Sequence, residues 1–196
     1  MNGGTLIVLE GIDGSGKSTQ CSAIAQALRE RGREVVETRE PTDGEWGTRI
    51  RALARSDERV APEQELHWFV EDRREHVAAV IVPALAAGRT VVCDRYFLSS
   101  VAYQGARGLD WETILAESEL AFPVPDRALL FELSIDEALA RIRARGGPAE
   151  PAFEHANYLR RVAAIFAAIE RPYLRRIDAG ARPEAVLGQA LAALDF

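Results

Sequence analysis

An α/β fold built on a five-stranded parallel sheet flanked by helices is the class this sequence predicts, and three observations lead there. Short apolar runs alternate with longer stretches of helical periodicity, the pattern of parallel strands joined by crossover helices. The first apolar run passes directly into a glycine-rich loop and then into an amphipathic helical stretch. At 196 residues, with 47% hydrophobic and 28% charged side chains, the chain suits one globular domain spanning residues 1–196.

Residues 5–10 (TLIVLE) read as a buried strand. Beyond the loop, Cys21, Ile24, Ala25 and Leu28 share one helical face, and Gly32 ends the helix. Residues 34–38 (EVVET) supply the next strand. A turn-rich stretch follows, and then a long helical pattern runs from about Pro62 to Ala87, where Gly88 stops it. Residues 90–94 (TVVCD) and 127–133 (RALLFEL) are further strands, and Ser134 with Glu137 forms a capping box that opens another helix. Gly and Pro interrupt two helical patterns across residues 144–153, which predicts a short mobile lid at approximately 143–154. Residues 175–179 (RRIDA) complete the sheet, and Pro183 suits the first turn of a terminal helix.

Composition narrows the function. A formal net charge of −6 excludes a broad basic surface for nucleic acid or anionic lipid, so an anionic ligand must be held by a local group of arginines. Cys21 and Cys93 have no metal-type or redox-type spacing and read as buried thiols in a reducing compartment. The longest apolar stretch, residues 77–87, is too short to span a bilayer and contains Pro83, so a cytoplasmic protein is expected.

Lys17 is the sole lysine among 24 basic residues, and it sits in the glycine-rich loop. Residues 11–18 fit G-x-x-x-x-G-K-[ST] between a strand and a helix, the context a phosphate-binding loop requires. Glycines let backbone amides converge on phosphate oxygens, and the helix N-terminus adds partial positive charge. The nucleotide-binding segment is therefore Gly11, Ile12, Asp13, Gly14, Ser15, Gly16, Lys17, Ser18 and Thr19. Within it Lys17 would reach the donor's β- and γ-phosphates, and Ser18 would ligate Mg²⁺. Asp94 ends the apolar strand at 90–94 and is the second expected metal contact, a carboxylate that would meet the ion or its waters. The fold expectation becomes a P-loop NTPase type. A guanine-reading Asn-Lys-x-Asp is missing from the sequence, which points to ATP as donor.

Three further stretches, TREP (38–41), FVEDRREH (69–76) and DRYFLSSVAYQG (94–105), together with EGIDGSGKST, resemble the thymidylate kinase family of nucleoside monophosphate kinases. Read for chemistry alone, Phe69 and Arg73 stand i and i+4 on one helix face, a ring beside a guanidinium. The resemblance implies that Phe69 stacks on thymine, that Arg73 bonds its O4 edge, and that Ser100 and Gln104 complete base reading. It implies also that Tyr103 packs beneath the deoxyribose and that Asp13 meets the 3′-hydroxyl and the metal shell. Arg39, Arg51 and Arg95 are its candidates for the acceptor phosphate, and Arg143 and Arg145 for a lid contact to the transferring group. The implied reaction is ATP plus dTMP giving ADP plus dTDP with Mg²⁺, in a homodimer. The catalytic set would be Lys17, Asp13, Arg95, Arg39, Arg143 and Arg145.

Two departures from the family pattern keep alternatives open. Thr42-Asp43 stand where the family usually has Gly-Gly after the proline, and Ala152 stands where many members carry a lid arginine. A deoxynucleoside kinase could use Glu40 as general base, a catalytically impaired homologue could bind nucleotide alone, and a generic ATPase would need no acceptor.

Overall fold

The computed structural model describes residues 3–56, 58–146 and 153–194, with backbone only for 153–155. Ala152 and the middle of the expected lid, residues 147–152, lie outside the described residues. Five strands, β1 (Thr5–Glu10), β2 (Val35–Arg39), β3 (Thr90–Asp94), β4 (Arg127–Glu132) and β5 (Leu174–Asp178), form one sheet of order β2-β3-β1-β4-β5. All neighbours are parallel. Strands β1 and β3 keep the expected bounds, and the other three differ from them by one residue at one or both ends. Arg39 is thereby the last residue of β2.

Helices α1 (Lys17–Glu30), α2 (Glu45–Arg55), α3 (Pro62–His76), α4 (Val82–Ala86), α5 (Phe97–Gly105), α6 (Trp111–Ala121), α7 (Ile135–Ala144), α8 (Phe153–Ala168) and α9 (Pro183–Ala192) flank the sheet. Alternate residues of β1 feed two separate cores, as the two-residue period of a strand requires. Leu6 and Val8 join Val91, Cys93, Phe97, Leu159 and Phe166 on one face. Ile7 and Leu9 join Val92, Leu129, Ile24, Leu28 and Val186 on the other. Cys93 and Cys21 belong to different cores and are both free and buried, as expected, and burial pushes each thiol well above its ordinary range.

One expected element is rebuilt. The single helix from 62 to 87 is realised as α3, a π-helical turn at Val77–Ile81, and α4. Pro83 has no N–H to donate to the carbonyl of residue 79, and its ring would collide with it in a straight α-helix. The wider π-turn absorbs the conflict and leaves Pro83 in the first turn of α4. Among the described residues no helix is long and apolar enough to cross a membrane.

Register places the site. Leu9 pairs with Asp94, and Asp94 with Arg39, so the carboxyl ends of β1, β3 and β2 lie in one row. The glycine-rich loop leaves β1 at that row, where ligands bind in open parallel sheets.

Candidate active site

Backbone geometry explains the loop's glycines. Gly11 has φ +138°, and a Cβ there would come within 2.6 Å of the Phe131 carbonyl oxygen. Gly16, at φ 91°, caps α1 with no side chain in the way, leaving the helix's first amides open to an anion. Lys17 is 5% exposed, and its Nζ turns inward to donate to the Ile12 carbonyl at 2.8 Å and to Ser15 Oγ at 3.4 Å. Burial, seconded by the Arg95 charge, depresses its pKa to about 7.

At the metal position Ser18 Oγ donates to Asp94 Oδ2 at 2.5 Å. Asp94 Oδ1 is buried and has no hydrogen-bond partner among the described residues. A hydroxyl and a carboxylate oxygen with spare acceptor capacity, at the carboxyl end of a strand, fit a hard divalent cation such as Mg²⁺.

Arg95 follows Asp94 at φ 69°, a left-handed conformation rare for a residue with a Cβ. This turn carries its guanidinium back over the loop. Nη2 contacts Asp13 Oδ1 at 2.5 Å, while Nη1 donates to Ser99 Oγ at 3.0 Å and to the Gly11 carbonyl at 3.3 Å. Tyr103 donates to Asp13 Oδ2 at 3.1 Å and accepts from the Asp13 amide at 3.1 Å. Although burial works against it, the Arg95 and Lys17 charges hold the Asp13 carboxyl below the usual carboxylate range. Asp13, Arg95 and Tyr103, nominated separately from the sequence, therefore form one cluster.

A second cluster gathers around Arg73, which is 1% exposed. Nε and Nη2 both reach Glu40 Oε2 at 2.8 Å, and Nη2 donates to Ser100 Oγ at 3.0 Å. The guanidinium lies over Tyr96 and Phe122. Glu40 Oε1 meets His76 Nδ1 at 3.0 Å, and His76 Nε2 meets Thr38 Oγ1 at 2.7 Å. Because a carboxylate only accepts, Nδ1 carries the proton, and when the ring is neutral Nε2 accepts from the threonine hydroxyl. Arg73 Nη1 has no hydrogen-bond partner among the described residues. Gln104, one turn beyond Ser100 on α5, donates through Nε2 to Glu65 at 3.2 Å. That contact fixes the amide's orientation, so its buried Oε1 is the end left without a partner among the described residues. Phe69 is half-buried one turn before Arg73.

The remaining arginines lie elsewhere. Arg39 and Arg51 meet each other only through Asp43. Arg39 and Asp43 line a cleft of about 690 Å³ with Ser18, Asp94, His76 and Thr42. Phe69, Arg73, Ser100 and Gln104 stand outside its lining. Arg143 is exposed on the last turn of α7. Arg145 lines a second cavity of about 300 Å³ across the loop, with Arg141, Gln20, Thr19 and Pro183.

Comparison with known proteins agrees with this geometry. The family model described as Thymidylate kinase matches residues 9–189. The chain belongs to the thymidylate kinase family. It is 48% identical over 188 residues to the thymidylate kinase of Xanthomonas campestris pv. campestris, covering 96% of this chain and 82% of that one. To the thymidylate kinase of Desulfotalea psychrophila it is 45% identical over 178 residues, 91% and 88% of the two chains. To that of Akkermansia muciniphila it is 45% identical over 193 residues, 98% and 92%.

Three further residues of this thymidylate kinase family member, none of them named as a site residue from the sequence, make hydrogen bonds around these clusters. Glu10, 0% exposed, accepts from Ser99 Oγ at 2.5 Å and from the Tyr96 amide at 2.9 Å, and so braces Arg95 through Ser99. A glutamate closing the apolar run TLIVLE was the available signal. Asp72 receives the amide and hydroxyl of Thr42 at 2.9 and 2.6 Å. Gln20, on the wall of the second cavity, donates to the Pro183 carbonyl at 3.0 Å, which leaves its buried Oε1 without a partner among the described residues.

Proposed function

We propose that the protein transfers the γ-phosphoryl group of ATP to dTMP, giving ADP and dTDP. The observation that supports this acceptor best is that Arg73 Nη1 and Gln104 Oε1 are two of the buried side-chain atoms that have no hydrogen-bond partner among the described residues. One is a donor and the other an acceptor, complementary to O4 and N3–H of thymine, and a buried polar atom left unpaired costs stability until a ligand satisfies it. Phe69 would supply a stacking face, Ser100 holds the guanidinium, and the Asp13–Tyr103 pair would meet the sugar.

Phosphoryl transfer breaks the bond from the γ-phosphorus to the β–γ bridging oxygen and forms one to a dTMP phosphate oxygen. With a second pKa of about 6, that oxygen is already anionic at neutral pH, so no strong base is needed. What remains is alignment and neutralisation of two repelling anions. Lys17 and the α1 amides would hold the donor's phosphates, and Arg39, Arg51 and Arg95 the acceptor's. Ser18 and Asp94 would hold Mg²⁺, which would supply neutralisation of the donor's phosphate charge. Gln20 Oε1 suits an adenine amino group in the second cavity, and Arg145, which lines that cavity, would sit on the donor side, whereas Arg143 is exposed. Cytoplasmic location and a homodimer belong to the same proposal, the latter tested by light scattering.

Glu40 is a poor general base. It is 5% exposed and both its oxygens are engaged, by Arg73 and His76. A coupled assay with ATP and a panel of dTMP, dUMP, dCMP, dGMP, AMP and thymidine tests the reading. Turnover greatest with dTMP is expected; thymidine as the better acceptor would restore Glu40 as base, and hydrolysis without any acceptor would indicate an ATPase.

A further inference from the structure

Asp43 shares its carboxylate between the two arginines assigned to the acceptor phosphate. Arg39 Nη2 lies 3.0 and 3.1 Å from its two oxygens, and Arg51 Nη2 lies 3.1 Å from Oδ1. One anion bridging two guanidiniums is the arrangement a phosphate would adopt between them. We propose that Asp43 is a built-in competitor for the acceptor's phosphate group, occupying the guanidiniums that would grip it and so setting how tightly the acceptor is held. The inference rests on the acceptor reading above.

The loop presents this carboxylate from a fixed base. Thr42 is tied through its amide and hydroxyl to Asp72, which is 1% exposed. Arg51 Nη1 donates to the Pro41 carbonyl at 3.0 Å and also to the Thr42 carbonyl. Gly47 of α2 abuts Thr42 so closely that a Cβ would fall 2.0 Å from its carbonyl oxygen. Asp43 itself is 76% exposed at the side chain, so no buried structure depends on where its carboxylate points. It can swing away while Thr42 stays in place.

A phosphate dianion brings about two negative charges and three acceptor oxygens against the carboxylate's single charge. It therefore wins the arginines, but against a resident rival. Asp43 also stands on the wall of the cleft that holds Asp94, where a second carboxylate adds to the repulsion an incoming anion meets. Exposed ion pairs correspond to a factor of roughly 1.7 to 3 each, so releasing both should change acceptor affinity by about three- to tenfold.

The test compares wild type, Asp43→Asn and Asp43→Ser, with Glu45→Gln as a control that removes a like charge from the same segment but pairs with neither arginine. Initial rates are measured against dTMP at saturating ATP, and inorganic phosphate is titrated calorimetrically into each protein in the absence of nucleotide. Both Asp43 variants should lower KM for dTMP about three- to tenfold with kcat within twofold, and should bind inorganic phosphate more tightly in parallel; Glu45→Gln should do neither. An unchanged or raised KM in the Asp43 variants, or an equal gain in Glu45→Gln, overturns the proposal. If wild type fails to turn over dTMP, the acceptor reading falls, while the phosphate titration still decides whether Asp43 competes for the arginines.

Discussion

Lys17 is held inside its loop by the Ile12 carbonyl, with a pKa of about 7 because burial and the Arg95 charge disfavour its protonated form. Donor phosphates reverse that balance, so ATP binding at pH 8 should draw close to one proton from the buffer. Calorimetry in two buffers of different ionisation enthalpy measures the uptake, and Lys17→Met should abolish it and lower kcat by about 10²–10³-fold, the usual cost of losing a transition-state charge contact. Glu10 titrates in the other direction. Burial pushes its carboxyl up to about 7, against the Ser99 hydrogen bond and the Arg95 charge. A folded-state value above the ordinary 4.5 means that its contribution to stability is complete below pH 4.5 and is lost as pH climbs through 7. Glu10→Gln should flatten the urea-midpoint profile between pH 5 and 8, and parallel profiles would contradict the assignment. At this scale the sequence was informative where chemistry depends on a motif, as at Lys17, Ser18 and Asp94. It was silent where a charge is buried by its neighbours: nothing in TLIVLE reveals that Glu10 will face Ser99, because a strand's periodicity gives a residue's side of the sheet and not its partner.

Among the elements, α7 matters beyond its own stability because it carries Arg141 and, just past its end, Arg145 into the second cavity. Ser134 accepts from the Glu137 amide, the forward bond of the capping box read from the sequence, and the second contact is its hydroxyl donating to the Glu137 carboxylate rather than the box's backbone bond. Ser134→Ala should cost about 1 kcal/mol of stability and raise KM for ATP more than KM for dTMP. Equal effects on both would detach α7 from the donor side. Helix α2 shows why some elements were not legible. Its interior Gly47 and Thr48 are poor helix formers, and the stretch reads as turns. The glycine is there because α2 packs directly on Thr42, a tertiary demand that propensity does not encode. The π-turn before Pro83 is a similar case: the proline was visible, but not whether the chain would break or widen around it.

For the whole molecule, the sheet sets two cavities on either side of one loop. Strand order and parallel register bring Glu10, Arg39 and Asp94 to the same edge, and alternation along β1 builds a core on both faces that fixes that edge rigidly. The Arg73–Glu40 pair ties the proposed acceptor side into this frame. Arg73→Ala should both weaken dTMP binding and cost about 3–5 kcal/mol of stability, because it strands the Glu40 charge in the interior. Restoring stability with Arg73→Met/Glu40→Gln should leave dTMP binding weak, a separation that thermal melts and titration calorimetry can read. The most direct measurement is a crystal structure with Mg²⁺, dTMP and a non-hydrolysable ATP analogue. It should show Arg73 Nη1 donating to thymine O4, Gln104 Oε1 accepting from N3–H, and Lys17 Nζ moved from the Ile12 carbonyl onto the donor's phosphates. A thymine lodged elsewhere, with those two atoms still unpartnered and the lysine still turned into its loop, would contradict the account.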